Sequence, residues 1–301
     1  MANYNFLKEA KVYVVYNSLK YRIDVTNISF SQTFRENSYS VKTLHSQTDV
    51  FEASTINSAN AANFSFQTAA IRENHRKVVF DRLLDYATFD LYISTEQDVF
   101  KLEKCVITNG SFIIEKLKPL SLGIQGDASK LSKVGTAASY TIPGTLQSYT
   151  SSPTYNLVRI NMAELGGSDI SESVSRVNIE LQNEVEWQRY NTVQGGIDAT
   201  NAATSQFPST FVIGKRVLAG GLSRYLTGNT GSDFFTWGTD TSLRIKAGQE
   251  VDGTFYGFDF NMSNCAFTNR LKEGPVLEEE YNFRMTQNPT NLSSVITYNT
   301  T

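Results

Sequence analysis

Apolar and polar positions alternate strictly over two stretches of the chain. From Ile28 to Phe34 (ISFSQTF) one face carries Ile28, Phe30 and Phe34 and the other Ser29, Ser31 and Thr33. From Ile179 to Trp187 (IELQNEVEW) one face carries Ile179, Leu181, Val185 and Trp187 and the other Glu180, Gln182, Glu184 and Glu186. Successive side chains of a strand point to opposite faces, so each stretch predicts a half-buried strand with a polar second face. That face could look into water, into a lumen or at a polar partner.

Other strand signals surround these. β-branched and aromatic residues fill Lys11–Tyr16, which Asn17-Ser18 can turn, then Tyr21–Val25, Asn63–Ile71, Asp90–Ser94, Val99–Glu103 and Cys105–Thr108. Ser111–Leu117 and Leu120–Gln125 predict a hairpin. Helical period occurs over residues 75–87, where Val79/Leu83 and Phe80/Leu84 stand four apart. Residues 35–62 are polar and too long for an ordinary hairpin connection. Within them, residues 41–60 read as an arm that contacts something outside its own domain, with Gln47, Thr48, Asp49, Val50, Phe51, Glu52 and Asn57 as its candidate contact residues. A mobile surface loop is the alternative.

The second half follows the same order. Asn156–Asn161 is a strand, Leu165-Gly-Gly-Ser a turn and Ile170–Val177 a further strand; a polar arm spans about 188–210, and Leu222–Thr227 is set against Phe64–Thr68. Ser232–Gly238 stands where the helix stood, and Leu243–Ile245 matches Leu91–Ile93. The stretches Cys105–Leu131 and Cys265–Leu292 both open with Cys, apolar residues and Thr-Asn (Thr108-Asn109, Thr268-Asn269). Such self-similarity predicts an internal repeat. The expected layout is a first domain over 1–131, a Ser/Thr/Gly-rich linker over 132–155 and a second domain over 156–301.

Composition narrows the function. The chain has 301 residues, enough for two cores; 12% aromatic content and six prolines suit β-structure. A formal net charge of −3 gives no general attraction to nucleic acid or anionic membrane. No apolar run is long enough to cross a bilayer, and no basic segment leads into a signal-like apolar one, so bacterial cytosolic synthesis without membrane insertion is expected. The two cysteines, one per half, read as buried core thiols rather than a disulfide.

Catalytic constellations are missing from the pattern. His45 and His75 are the only histidines; they force no Ser-His-Asp or Cys-His arrangement and supply no zinc-ligand spacing. His75, at the front of the helix, reads as solvated or satisfied. Adjacent carboxylates in Glu278-Glu279-Glu280 point to opposite strand faces, so a solvated edge or interface rim is expected there, not acid–base work. The glycine pairs form no phosphate loop, and Gly220-Gly221 reads as a bulge or bend. No enzyme activity, cofactor or metal is expected.

The order of alternating hairpin, long polar arm, alternating strand, amphipathic helix and closing strands resembles phage tail tube proteins. Its doubling resembles the two-domain form in long flexible-tailed phages. The residues that carry the resemblance are Ile28–Phe34 with the arm to Asn63, Phe64–Ile71, Val79–Leu84 and Cys105–Leu131, with counterparts from Ile179 to Leu292. The resemblance implies a mainly β protein with one short helix per domain. It would consist of two tandem β-sandwich or barrel-like domains whose sheets join edge to edge into a closed ring. Three chains would then make a pseudo-hexameric ring, and stacked rings a tube that conducts double-stranded DNA during ejection.

The implied partners are further copies of the chain, tail tip or baseplate and tail terminator proteins, the passing DNA and a tape-measure protein. The implied location is the virion tail, assembled in the host cytoplasm. Ser29, Ser31, Thr33, Glu180, Gln182, Glu184 and Glu186 are then the candidate lumen positions. A baseplate or tube-initiator protein of related fold is one alternative. A soluble carbohydrate- or receptor-binding β-sandwich is the other.

Overall fold

The computed structural model describes residues 7–39, 53–69, 74–115, 118–148, 159–188, 206–226, 240–287 and 291–300. The chain runs through β1 (Lys11–Tyr16), β2 (Leu19–Ile23), β3 (Asn27–Ser31), β4 (Phe34–Tyr39), β5 (Ala53–Ala59), β6 (Ala62–Ala69), helix α1 (Asn74–Asp85), β7 (Phe89–Ser94), β8 (Asp98–Glu115), β9 (Ser121–Ala128), β10 (Lys130–Thr136) and β11 (Thr145–Leu146). It continues with β12 (Arg159–Leu165), β13 (Ser168–Asp169), β14 (Val174–Gln188), β15 (Thr210–Tyr225), β16 (Thr241–Val251), β17 (Thr254–Lys272), β18 (Glu278–Met285) and β19 (Ile296–Asn299).

Two long strands organise the rest. Up to Cys105, β8 pairs with β7 and β10; beyond it, β8 pairs with β9 and β14. Up to Cys265, β17 pairs with β16 and β19, and from Cys265 onward with β18. Each strand thus passes from one sheet to another at its cysteine. The front layer of the first half has the order β2-β1-β7-β8-β10, with β11 added parallel to β2. The front layer of the second half has the order β13-β12-β16-β17-β19. A single back sheet runs antiparallel through both halves as β3-β6-β9-β8-β14-β15-β18-β17.

One hydrophobic cluster joins the halves. Helix α1 lies over their junction. Its Phe80 ring sits 6.2 Å from Phe112 of β8, 5.7 Å from Phe258 of β17 and 5.7 Å from Tyr298 of β19. Leu83 lies so close to Gly110 that a Cβ there would be 2.2 Å from its Cδ2, so the helix packs onto the sheet at a glycine. The helix ends at Tyr86, whose φ of 57° leaves the helical region. Arg216 of β15 donates to the carbonyl oxygens of Leu83 (3.1 Å) and Leu84 (2.7 Å), satisfying the orphan carbonyls of the last turn.

Several expectations change. Val99–Glu103, Cys105–Thr108 and Ser111 onward form one continuous strand, β8, interrupted only by register shifts opposite β7 and β9. Within residues 132–148 of the expected linker, β10 pairs with β8, Ile142 is buried and β11 pairs with β2. The strand expected over Ile170–Val177 begins at Val174. Gly220-Gly221 makes no bulge, since β15 stays in register there with both neighbours. A Cβ on Gly220 would lie 2.1 Å from the Asn178 carbonyl oxygen and 2.7 Å from the Phe283 ring, so the glycine permits a close approach. The helix counterpart at Ser232–Gly238 lies outside the described residues.

Candidate assembly surface

The back sheet has one face in the core and one face open. Apolar residues of β6, β8, β14, β15 and β18 point inward, among them Phe64, Phe66, Phe112, Val177, Ile179, Leu222, Tyr281 and Phe283. Strand alternation puts the residues between them on the open side. Cross-strand neighbours there form continuous rows. One row runs Ser29, Ser65, Gln125, Asn109, Gln182. The next runs Asn27, Gln67, Gly123, Ser111, Glu180, Ala219, Arg284, Ala266. Positions from both halves therefore share one polar surface, in which Ser, Asn, Gln and small residues outnumber the charged Glu180 and Arg284.

The candidate lumen residues divide accordingly. Ser29, Ser31, Glu180 and Gln182 lie on this face; Ser31 donates to Asn63 (2.8 Å) and Gln182 to Glu180 (3.4 Å). Thr33 instead stands at the foot of the β4–β5 hairpin, where its hydroxyl and carbonyl oxygens both accept from Asn60. Glu184 falls in the register shift between Asn183 and Val185 and accepts from the backbone of Lys215, while Glu186 belongs to the β14–β15 extension beyond that shift. Sequence alternation alone could not separate these sets, because a bulge breaks the count of two. Of the candidate arm residues, Asn57 lies in β5 at a register shift, and Gln47, Thr48, Asp49, Val50, Phe51 and Glu52 lie outside the described residues. Ser65, Ser111, Asn109 and Gln125 also belong to the polar face. Carrying the alternation through β6, β8 and β9 would have found them.

Charges on this face interleave. Arg176 pairs with Glu115 (3.1 Å), Arg270 with Glu280, and Lys272 with Glu278 and Glu280 (both 3.5 Å). Hydrogen bonding from Lys118 holds the Glu115 carboxyl below its ordinary range, and Arg270 does the same for Glu280. Burial raises that of Asp127.

Glu279 departs from the expected solvated edge. It turns into the core, where Oε2 accepts from Arg224 Nη2 (2.9 Å) and Nε (3.1 Å) and Oε1 accepts from Asn269 (3.1 Å). Glu278 and Glu280 do face outward. His75 is buried, with its ring nitrogens 3.1 Å from the Arg22 carbonyl oxygen and 2.9 Å from that of Ser148. Both cysteines are buried and unbridged. Burial pushes the Cys265 thiol up to about 12 and that of Cys105 well above the ordinary range, so neither is poised as a nucleophile. Among the described residues no cluster of three metal-ligating side chains occurs, and no helix is long and apolar enough to cross a membrane.

An extended polar sheet face with two edges that meet no further strand among the described residues is a surface suited to assembly. Residues 2–84, which take in β1 to β6 and nearly all of α1, match the model of the Bacteriophage Baseplate Tube Protein Family. That match supports a structural role in a phage tail or baseplate. No curated protein matches the chain.

Proposed function

We propose that the protein is a tube-building subunit, three copies of which close into a pseudo-hexameric ring whose bore passes double-stranded DNA. The observation that carries this reading is the back sheet. Its two four-stranded runs, β3-β6-β9-β8 and β14-β15-β18-β17, repeat one pairing order and join side by side. Each run is one tube domain, and the chain already contains one domain-to-domain junction of the ring. Three chains would supply about 24 strands; at ~4.8 Å spacing and a tilt near ~40°, the backbone diameter is roughly 48 Å. Side chains leave a bore of about 35–40 Å, enough for a hydrated duplex.

The open face suits passage rather than binding. DNA is held by cations that release its counterions. Here short Ser, Asn, Gln and Gly positions dominate, and Arg176, Arg270 and Lys272 are paired with carboxylates. Replacing Glu180 and Gln182, the two β14 candidates on the open face, by Arg is expected to slow ejection from phage particles without stopping assembly. If outer-surface labels reach both positions in assembled tubes and ejection is unchanged, the lumen assignment fails.

The family description favours a ring in the baseplate segment over the repeating tail tube. Partners are then further copies of the chain and the adjoining tip and baseplate proteins, with the virion tail as the site of action; a terminator protein would be a partner only of the repeating tail tube. Negative-stain microscopy of the purified protein, with and without a nucleating complex, is expected to show rings with a central hole. Copy number per particle separates one ring from many. Globular monomers at high concentration under both conditions, with measurable saccharide binding, would replace the tube by a soluble binding protein.

A further inference from the structure

The seam inside the chain is a template for the seam between chains. β8 and β14 pair with Phe112 opposite Ile179, Ser111 opposite Glu180 and Ile113 opposite Asn178. Among the described residues, no strand pairs with β3 on the side away from β6, or with Ala266–Lys272 of β17 on the side away from β18. These two free edges occupy the places of β14 and β8 in the repeated order.

The registers fix the correspondence residue by residue. Counting from the cysteines, Ile107 pairs with Gly126, which pairs with Phe64, which pairs with Phe30; likewise Phe267 pairs with Phe283, which pairs with Gly220, which pairs with Ile179. Phe30 therefore stands in the place of Ile179. On the other edge, Phe112 pairs with Leu122, opposite Thr68; Leu271 pairs with Glu279, opposite Arg224, so Leu271 stands in the place of Phe112.

We infer that β17 of one copy pairs antiparallel with β3 of the next in the register of the β8–β14 seam, placing Leu271 opposite Phe30, Lys272 opposite Ser29 and Arg270 opposite Ser31. This rests on the ring reading above and specifies its contact between copies. The chemistry of the edges fits. Phe112 and Ile179 are both 0% exposed in the internal seam, whereas Leu271, at the free edge, is 51% exposed. Pairing it with half-buried Phe30 would continue the apolar face of the sheet across the boundary. On the open face, Lys272 and Arg270 meet serines, so no like charges are opposed. A slip by one residue would put Leu271 opposite a serine and turn the faces over.

Cysteine pairs in the full-length chain test the register. Directly opposed positions bring Cβ atoms within disulfide reach, and diagonal ones do not. Oxidation of assembled Ser29→Cys/Lys272→Cys and Ser31→Cys/Arg270→Cys variants should give reducible multimers up to three chains. The offset variant Ser31→Cys/Lys272→Cys should cross-link about tenfold less. The native thiols are buried and do not compete. Rings whose offset pair cross-links best, or which cross-link in no pair, would overturn the register and leave the ring standing. Dimers from Ser29→Cys or Lys272→Cys alone would show an edge pairing with itself and overturn the inference. Monomers with neither rings nor cross-links would remove both the register and the ring.

Discussion

The two halves of the back sheet build the same pairing order from different residues. Opposed pairs across β6–β9 are Phe64 with Gly126, Phe66 with Ile124 and Thr68 with Leu122; the corresponding pairs across β15–β18 are Gly220 with Phe283, Leu222 with Tyr281 and Arg224 with Glu279. In the first row the large and small partners have changed places. A Cβ on Gly126 would lie 2.4 Å from the Phe64 ring, and one on Gly220 would lie 2.7 Å from the Phe283 ring. Either arrangement fills one ring's volume at that row, and close packing is indifferent to which strand supplies the ring. The third row differs in kind, a small polar and an apolar side chain against a buried ion pair. What is retained between the halves is volume and face.

The third row offers the largest effect. Arg224 and Glu279 side chains are only 11% and 3% exposed, so removing one partner leaves a buried charge. Glu279→Ala is expected to lower stability by about 3–5 kcal/mol, measured by denaturant unfolding. The double change Arg224→Thr/Glu279→Leu, which copies Thr68 and Leu122, leaves no buried charge and is expected to cost less than Glu279→Ala. The remainder comes from the space left by the arginine and the lost acceptor of Asn269. A double variant as unstable as Glu279→Ala would break the correspondence between the halves at this row.

The first row gives the next effect. Gly220→Ala would press a methyl against the Asn178 carbonyl oxygen, which belongs to a backbone held on both sides. Overpacking of this kind is expected to destabilise by about 1–3 kcal/mol. Gly110→Ala meets only the end of the Leu83 side chain, which can change rotamer, and should cost less. Equal costs at the two sites would mean that the sheet gives way as readily as a side chain.

Much of this was legible beforehand, and the misses have physical causes. β1, its turn at Asn17-Ser18, β7 and α1 follow from local signals that no tertiary contact overrides; Asn17 and Ser18 take the positive φ values of a tight hairpin. Ser29 and Gln182 were assignable to polar faces by alternation, but their common row depends on β9 and β8 lying between them. Setting Phe64 against Leu222 placed the halves two residues out of register. Apolar residues recur every second position, so a shift by two leaves the face unchanged, and the exchanged Phe and Gly removed the identity that would have fixed it. Alternation puts Glu279 on the face opposite Glu278 and Glu280; what nothing local announces is its buried partner, Arg224 on another strand.

The smallest effect lies on the open face, where the halves differ in charge. Asp127 in β9 corresponds to Arg284 in β18, since their neighbours Gly126 and Phe283 correspond. Burial raises the Asp127 carboxyl pKa in the folded chain. The folded state therefore holds that proton more tightly than the unfolded state, and stability falls as pH rises from the ordinary carboxylate range through the folded value. Asp127→Asn removes the charge while keeping the shape. It is expected to raise Tm modestly at pH 7 and to give no gain near pH 3, where the carboxyl is protonated in both states. Calorimetry of both proteins at the two pH values checks this. A gain of equal size at both would assign the difference to packing beside Asn63 instead of charge, leaving the exchange of acid for base without an energetic consequence in the single chain.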